Sequence, residues 1–187
     1  MIQYSAALRQ AIAEVLPTLL GTNPQLVLYQ GTIPANCETA STDPIIAIFE
    51  LPNPYFSTLN GSNTLVGTWT ATCILAGTPN YFRLETSAGA CILQGVVGYS
   101  FSTYWQINTN YTVGQLVVNG PYIYTCIVEG VSATSGLGPS GTGNGIVDGT
   151  VGWNYAGIFG DLNFNPPVFT LGETIPITVF QITTGNQ

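Results

Sequence analysis

The 187-residue chain is long enough for one ordinary domain, or for one domain carrying a small insertion, and its 45% of hydrophobic residues can supply a core. Only 6% of its residues are charged: nine acids stand against two basic residues, Arg9 and Arg83, with no Lys or His, for a formal charge of −7. That balance argues against nucleic acid as a partner, since phosphates call for clustered Lys and Arg, and against an anionic membrane surface.

The first predicted element is a helix over Ser5–Leu16. Leu8, Ala11, Ile12, Val15 and Leu19 fall at helical spacing on one apolar stripe, with Arg9, Gln10, Ala13 and Glu14 on the other face. Ser5 suits the N-cap, Pro17 ends or kinks the run, and Gly21 stops it. About three turns of helix are marginal alone. The stripe is therefore expected to pack on the protein's own sheet; the alternative is binding to a neighbouring subunit.

After Pro24 the texture changes to short β segments separated by turn residues. Gln25–Gln30 reads as a strand, and Ile45–Leu51, apolar on both faces, as a central one. A third region covers Thr64–Val66 and Thr68–Leu75. Asn80–Thr86 alternates, placing Phe82 and Leu84 opposite Tyr81, Arg83 and Glu85. Ser87-Ala88-Gly89 turns that strand into a hairpin with Cys91–Val97. Between Gly98 and Gly160 Tyr and Trp concentrate, and a Gly-rich loop runs near Gly136–Gly149. Short strands are expected there, near Gln115–Val118, Tyr122–Val128 and Gly152–Tyr155. The flanking CILQGVV and DLNFN read as adjacent strands of one sheet. Thr174–Ile182 is the last long strand, which Pro176 confines to an edge or a bulge. The predicted architecture is mainly β: an antiparallel β-sandwich or curled sheet with one N-terminal helix, formed by residues 1–98 and 160–187. A small aromatic-rich β-module is inserted at 99–159, in a surface loop where insertion costs least.

The residue inventory removes most catalytic chemistry. Without His there is no Ser–His–Asp or Cys–His arrangement and no His-ligated metal. Without Lys there is no Schiff base and no P-loop ammonium, and no helix pattern follows the Gly-rich loop. The acids are scattered singly, most beside turns or on polar strand faces, as with Asp148 before Gly149. Neither a glycosidase pair nor a calcium cluster is expected from them. Cys37, Cys73, Cys91 and Cys126 are far apart with no C-x-x-C, which speaks against zinc. Free, mostly buried thiols are the default, and pairing cannot be read from their spacing. The N-terminus lacks a basic leader, and no apolar run approaches the roughly eighteen residues that span a bilayer. A non-enzymatic protein without a cofactor is the expectation. In the module, Trp105, Tyr111, Tyr122, Tyr124 and Trp153 are the candidate glycan or partner contacts, because flat aromatic faces bind sugar rings. The competing use of the same rings is core packing, since a module of roughly sixty residues has little volume from which to build a core.

The segments SAALRQAI, QLVLYQGTIPAN, TPNYFRLETSAG, ILQGVVG and FTLGETIPITVFQIT, in that order, resemble a family of small tailed-phage virion proteins. Those proteins open with a short helix and continue with an apolar strand ending in Tyr-x-Gly-x-x-Pro-Ala-Asn. They carry a central Phe-Arg hairpin and finish on a Gly-x-Thr-Ile strand. The resemblance covers about 125 residues, everything outside the insertion. The inserted stretch resembles the small chitin-binding-like modules of phage tail and head-fibre proteins. The matching residues are Trp105, Tyr111-Thr112-Val113-Gly114, Val117, Tyr122, Tyr124, the Gly-rich Gly136–Gly145 and Asp148-Gly149-Thr150-Val151-Gly152-Trp153; Gly114-Gln115 stands where Gly-Asp is usual. The first resemblance implies a capsid cement or decoration protein on the virion exterior, assembled in the host cytoplasm. Its implied partners are the major capsid protein shell and itself, as a homo-dimer or trimer on a capsid symmetry axis. The second implies an alternative: a tail-associated or fibre-like adhesin that holds host-surface glycan through the aromatic module.

Overall fold

The computed structural model describes residues 3–99, 103–158, 160–164 and 168–183. As patterning predicts, the chain is mainly β with one helix among those residues. It divides into two compact units, Met1–Val96 with Val168–Gln187, and Val97–Pro167. Phe159, the expected end of the inserted module, and Asn165, at the end of the flanking DLNFN, lie outside the described residues.

The first unit holds α1 (Ala6–Leu20), β1 (Gln25–Tyr29), β2 (Ile45–Glu50), β3 (Phe56–Leu59), β4 (Ser62–Leu65), β5 (Trp69–Thr72), β6 (Tyr81–Glu85) and most of β7 (Cys91–Tyr99). The second begins within β7 and holds β8 (Asn110–Tyr111), β9 (Leu116–Asn119), β10 (Tyr122–Val128), β11 (Gly130–Val131), β12 (Ile146–Asp148), β13 (Val151–Ile158) and β14 (Leu162–Phe164). β15 (Thr174–Ile177) and β16 (Gln181–Thr183) return to the first unit.

In the first unit the strands run β7-β6-β1-β2, all antiparallel. The register sets Leu26 between Phe49 and Leu84, and Leu28 between Ala47 and Phe82. All six are buried, so one face of this sheet is continuous core. β2 ends the order instead of sitting at its centre. On its β5 side the Ile74 N–H donates to the Ile46 carbonyl at 2.8 Å; Ile46, Ala47 and Phe49 are buried and Ile48 is exposed. β3 and β4 form a hairpin across Asn60-Gly61, both with positive φ (53° and 83°), as a type I′ turn requires. The expected single strand over Thr174–Ile182 is two: β15 pairs with β5 and β16 with β4. Between them the chain turns Phe180 inward among Phe56, Trp69 and Phe82, at ring distances of 6.2, 5.6 and 5.6 Å.

The helix runs further than its sequence signals predict, and it docks by the opposite face. Ser5 caps it, its Oγ accepting the Leu8 N–H at 3.2 Å. Pro17 has no N–H, so the Ala13 carbonyl four residues earlier loses its helical donor. The buried Asn63 side chain supplies one instead, donating from Nδ2 at 2.8 Å, and the helix passes through Pro17 to Leu20. The other docking contacts are also largely polar. Gln10 donates to the Thr58 carbonyl at 3.4 Å and accepts the Gly61 N–H at 3.3 Å, while the Tyr55 hydroxyl lies 2.9 and 3.0 Å from the Pro17 and Gly21 carbonyls. Ala13 and Leu20 are the buried helix residues. The expected packing of Leu8, Ala11, Ile12, Val15 and Leu19 on the protein's own sheet is therefore wrong; all five are exposed.

In the second unit a four-stranded antiparallel sheet runs β12-β13-β10-β9, and a short β8–β11 ladder lies outside it. β14 pairs in parallel with the Val97–Tyr99 end of β7. No helix among the described residues is long and apolar enough to cross a membrane.

Candidate functional site

The five aromatic candidates converge in the second unit, mostly on its inside. Tyr111, Tyr124 and Trp153 join Val117, Cys126 and Val151 in one cluster, and none of the three is more than 3% exposed. Trp153 meets Tyr111 edge-on at 4.9 Å. These three rings present no face on which a sugar could stack, so as glycan contacts they are corrected to core. The reason is the one that competed from the start: a small unit builds its interior from large rings. Trp105 and Tyr122 are half-buried. The Trp105 indole lies under the Gly-rich loop. A Cβ on Gly138 would sit 2.6 Å from the ring, and the positive φ there (76°) also favours glycine. Asn119 pins that loop by donating to the Leu137 and Pro139 carbonyls, and the Tyr124 hydroxyl donates to Gly141 O at 2.9 Å. Tyr122 is edge-on to Tyr124 and Tyr155.

Asp148 does more than the turn chemistry its neighbour Gly149 suggests. It is buried, and its carboxylate accepts the Trp105 Nε1–H at 2.7 Å, the Trp153 Nε1–H at 3.4 Å and the Ala133 N–H at 3.1 Å. One acid thus ties together two tryptophans and the start of the Gly-rich stretch. The only sequence signal for this was the spacing of Asp148 five residues before Trp153.

A connected set of polar groups in the first unit lies on the second face of the β7-β6-β1-β2 sheet. Alternation predicts that Tyr81, Arg83 and Glu85 leave the core, yet all of β6 is buried. The cause is segment 31–44, which folds over this face. Arg83 donates to the Cys37 carbonyl at 2.6 Å and to the Thr39 carbonyl at 3.1 Å, and Gln94 donates to Pro34 O at 2.7 Å. Tyr81, stacked on Tyr29 at 5.0 Å, donates to Asp43 at 3.1 Å. The result is a cleft of about 420 Å³ lined by Tyr29, Cys37, Ser41, Arg83, Glu85 and Cys91, among others.

Within the cleft the Tyr29 hydroxyl donates to Glu85 Oε1 at 3.2 Å, and Arg83 Nε stands 3.6 Å from the same oxygen. Burial lifts the Glu85 carboxyl above the usual range, against the pull of the Tyr29 bond and Arg83. Burial, then the Glu85 charge, raises the Tyr29 hydroxyl. Cys37 and Cys91 bring their sulfurs to 2.8 Å, and burial with that contact pushes the Cys37 thiol up to about 12. Arg83 acts as a clamp on the covering segment, because both of its terminal nitrogens are engaged by backbone carbonyls. Among the described residues no group of three or more His, Cys, Asp or Glu side chains is placed to hold a metal. Sequence patterning missed this cluster because its members come from β1, a loop, β6 and the start of β7, with no shared motif.

The third feature is the outward stripe of α1. Leu8, Ile12, Val15 and Leu19 are 47%, 37%, 51% and 56% exposed, and Ala11, Thr18 and Ala7 continue the arc on one side of them. No charged residue interrupts that arc. Compared with family models, curated proteins and solved structures, the chain matches none.

Proposed function

We propose that the chain is a non-enzymatic structural protein of a tailed-phage virion: a cement protein on the capsid exterior, bound to the outer surface of the major capsid protein shell. The observation that carries this reading is the uncharged apolar arc on α1. A contiguous exposed apolar patch marks an interaction site, and on this reading the capsid shell supplies the groups that cover it. The order of the tailed-phage-like segments along the chain and the 6% charge content support the same reading. Binding works by area: roughly 1,600 Å² per junction suffices for stable association, and repetition around a symmetric shell multiplies the effect through avidity. Homo-dimers or trimers on a symmetry axis fit such a lattice. A charge-poor surface makes the contact short-ranged and little dependent on salt.

The test is quantification of the protein in purified particles, together with a Leu8→Gln, Val15→Gln double variant. Copies on the order of hundreds per particle follow from lattice-wide binding. The variant is expected to fold normally and to be lost from particles, which then break at a lower temperature. A few copies confined to the tail, or full retention of the variant, would refute the role.

A further inference from the structure

We propose that Cys37 and Cys91 form a modification site, at which exchange with a low-molecular-weight disulfide such as oxidised glutathione joins the two sulfurs within one chain. The inference goes beyond the proposed virion role and does not depend on it.

Three observations carry it. The sulfurs are 2.8 Å apart, so a bond of about 2.05 Å needs less than about 1 Å of movement. Neither residue is fully buried, and both line the open cleft, so a small disulfide can reach them. Cys37 is also held in place before any bond forms. Arg83 binds its carbonyl and that of Thr39, and Asn36 Oδ1 accepts both the N–H and the hydroxyl of Thr39 at 2.9 and 2.8 Å. Cys73 and Cys126 lack these features: both are buried, and they fall in different units.

The chemistry balances in two exchanges. Cys91 loses its proton to solvent and attacks one sulfur of the small disulfide. That S–S bond breaks, a mixed disulfide forms on Cys91, and the departing thiolate takes up a proton. Cys37 then gives up its proton and attacks the Cys91 sulfur, breaking the mixed bond and releasing the second small thiol. Two protein thiols are oxidised and one small disulfide is reduced. The two exchanges balance in the same way whichever of the two thiols attacks first.

The experiment uses the full chain, purified under reductant and then exposed to oxidised glutathione, alkylated, denatured and digested with trypsin. The two basic residues, Arg9 and Arg83, are the cleavage points, so Cys37 and Cys91 fall in different fragments. Oxidation is expected to take the joined fragments from near absence to the major species, reversibly with dithiothreitol. The join should vanish in Cys37→Ser and in Cys91→Ser and persist in Cys73→Ser and Cys126→Ser. Cys37 and Cys73 share one tryptic fragment and Cys91 and Cys126 another, so a second digestion of the joined fragments with chymotrypsin, after the Phe and Tyr residues between them, identifies the bonded pair in the unsubstituted protein. Fragments that stay separate, that join through Cys73 or Cys126, or that join only between chains would overturn the assignment.

Discussion

The contact that lets α1 pass through Pro17 makes a coupled prediction. Asn63 is fully buried and donates at 2.8 Å to the Ala13 carbonyl that Pro17 leaves without a donor. Replacing Asn63 by Ala removes that donor and leaves a buried carbonyl unpaired, a loss of about 1–3 kcal/mol. Pro17→Ala restores a backbone N–H four residues after Ala13, so the helix can satisfy the carbonyl itself. In that background Asn63→Ala should cost about 1 kcal/mol less than in the unsubstituted chain, a coupling within the range for residues sharing one network. The assay is urea unfolding of the two single variants and the double variant, with the midpoint shifting at constant m-value. If the two substitutions add to within about 0.3–0.5 kcal/mol, as independent sites do, Asn63 is not standing in for the missing donor.

Other outcomes follow from the same contacts. Leu20→Ala removes a side chain 1% exposed and should cost about 2–5 kcal/mol. The adjacent Leu19→Ala, 56% exposed, should change a monomer by less than about 0.5 kcal/mol; equal losses in urea unfolding would mean the docked face of α1 is misassigned. Trp153→Ala should cost about 3–5 kcal/mol by emptying the core of the second unit, and a variant as stable as the parent by calorimetry would return that ring to the surface. Glu85 titrates at a raised value in the folded chain, so its protonated form favours folding. That contribution is complete below the unfolded value near 4.5 and is lost as pH rises through the higher folded value. Glu85→Gln keeps an acceptor for Tyr29 and should flatten this fall in stability with pH; an unchanged pH profile counts against the assignment.

Much of the strand plan was legible. Alternation and the Ser87-Ala88-Gly89 turn located the β6–β7 hairpin, where Gly89 has a φ of 80° and its N–H returns to Thr86 O at 2.9 Å. The β3–β4 hairpin was missed although Asn60-Gly61 is a strong turn signal, because Phe56–Leu59 lacks a marked apolar pattern. Periodicity found the apolar stripe of α1 but could not say which way it points. Here hydrogen bonds to Asn63, Gln10 and Tyr55 set the orientation, and their partners lie 34 or more residues away in the sequence. The burial of Tyr81, Arg83 and Glu85 depends on segment 31–44 folding back over β6, a long-range event that a period of two cannot encode. Asp148 was visible as a residue, but its role needed the Trp105 indole, from a loop, and the Trp153 indole, from β13, which meet only in the folded unit.

The orientation of α1 bears on why the stripe is left in water at all. A helix that buried Leu8, Ile12, Val15 and Leu19 would gain roughly 1.5–3 kcal/mol for each side chain taken fully out of water. Each of these four is 37–56% exposed, so a good part of that gain is unrealised in the isolated chain. The alternative docking buries Ala13 and Leu20 and relies on side-chain hydrogen bonds, whose net contributions are about 1 kcal/mol each. For the monomer alone, the polar docking is the weaker use of the helix. It becomes the stronger one when a partner covers the stripe, because both faces are then buried and the apolar gain appears as binding. Under the proposed virion role, Leu19→Ala, nearly silent in the monomer, should lower occupancy on particles. An Ala substitution on the docked side that still permits folding should leave occupancy unchanged. Equal occupancy for the two variants would remove the physical basis for assigning α1 to a protein contact.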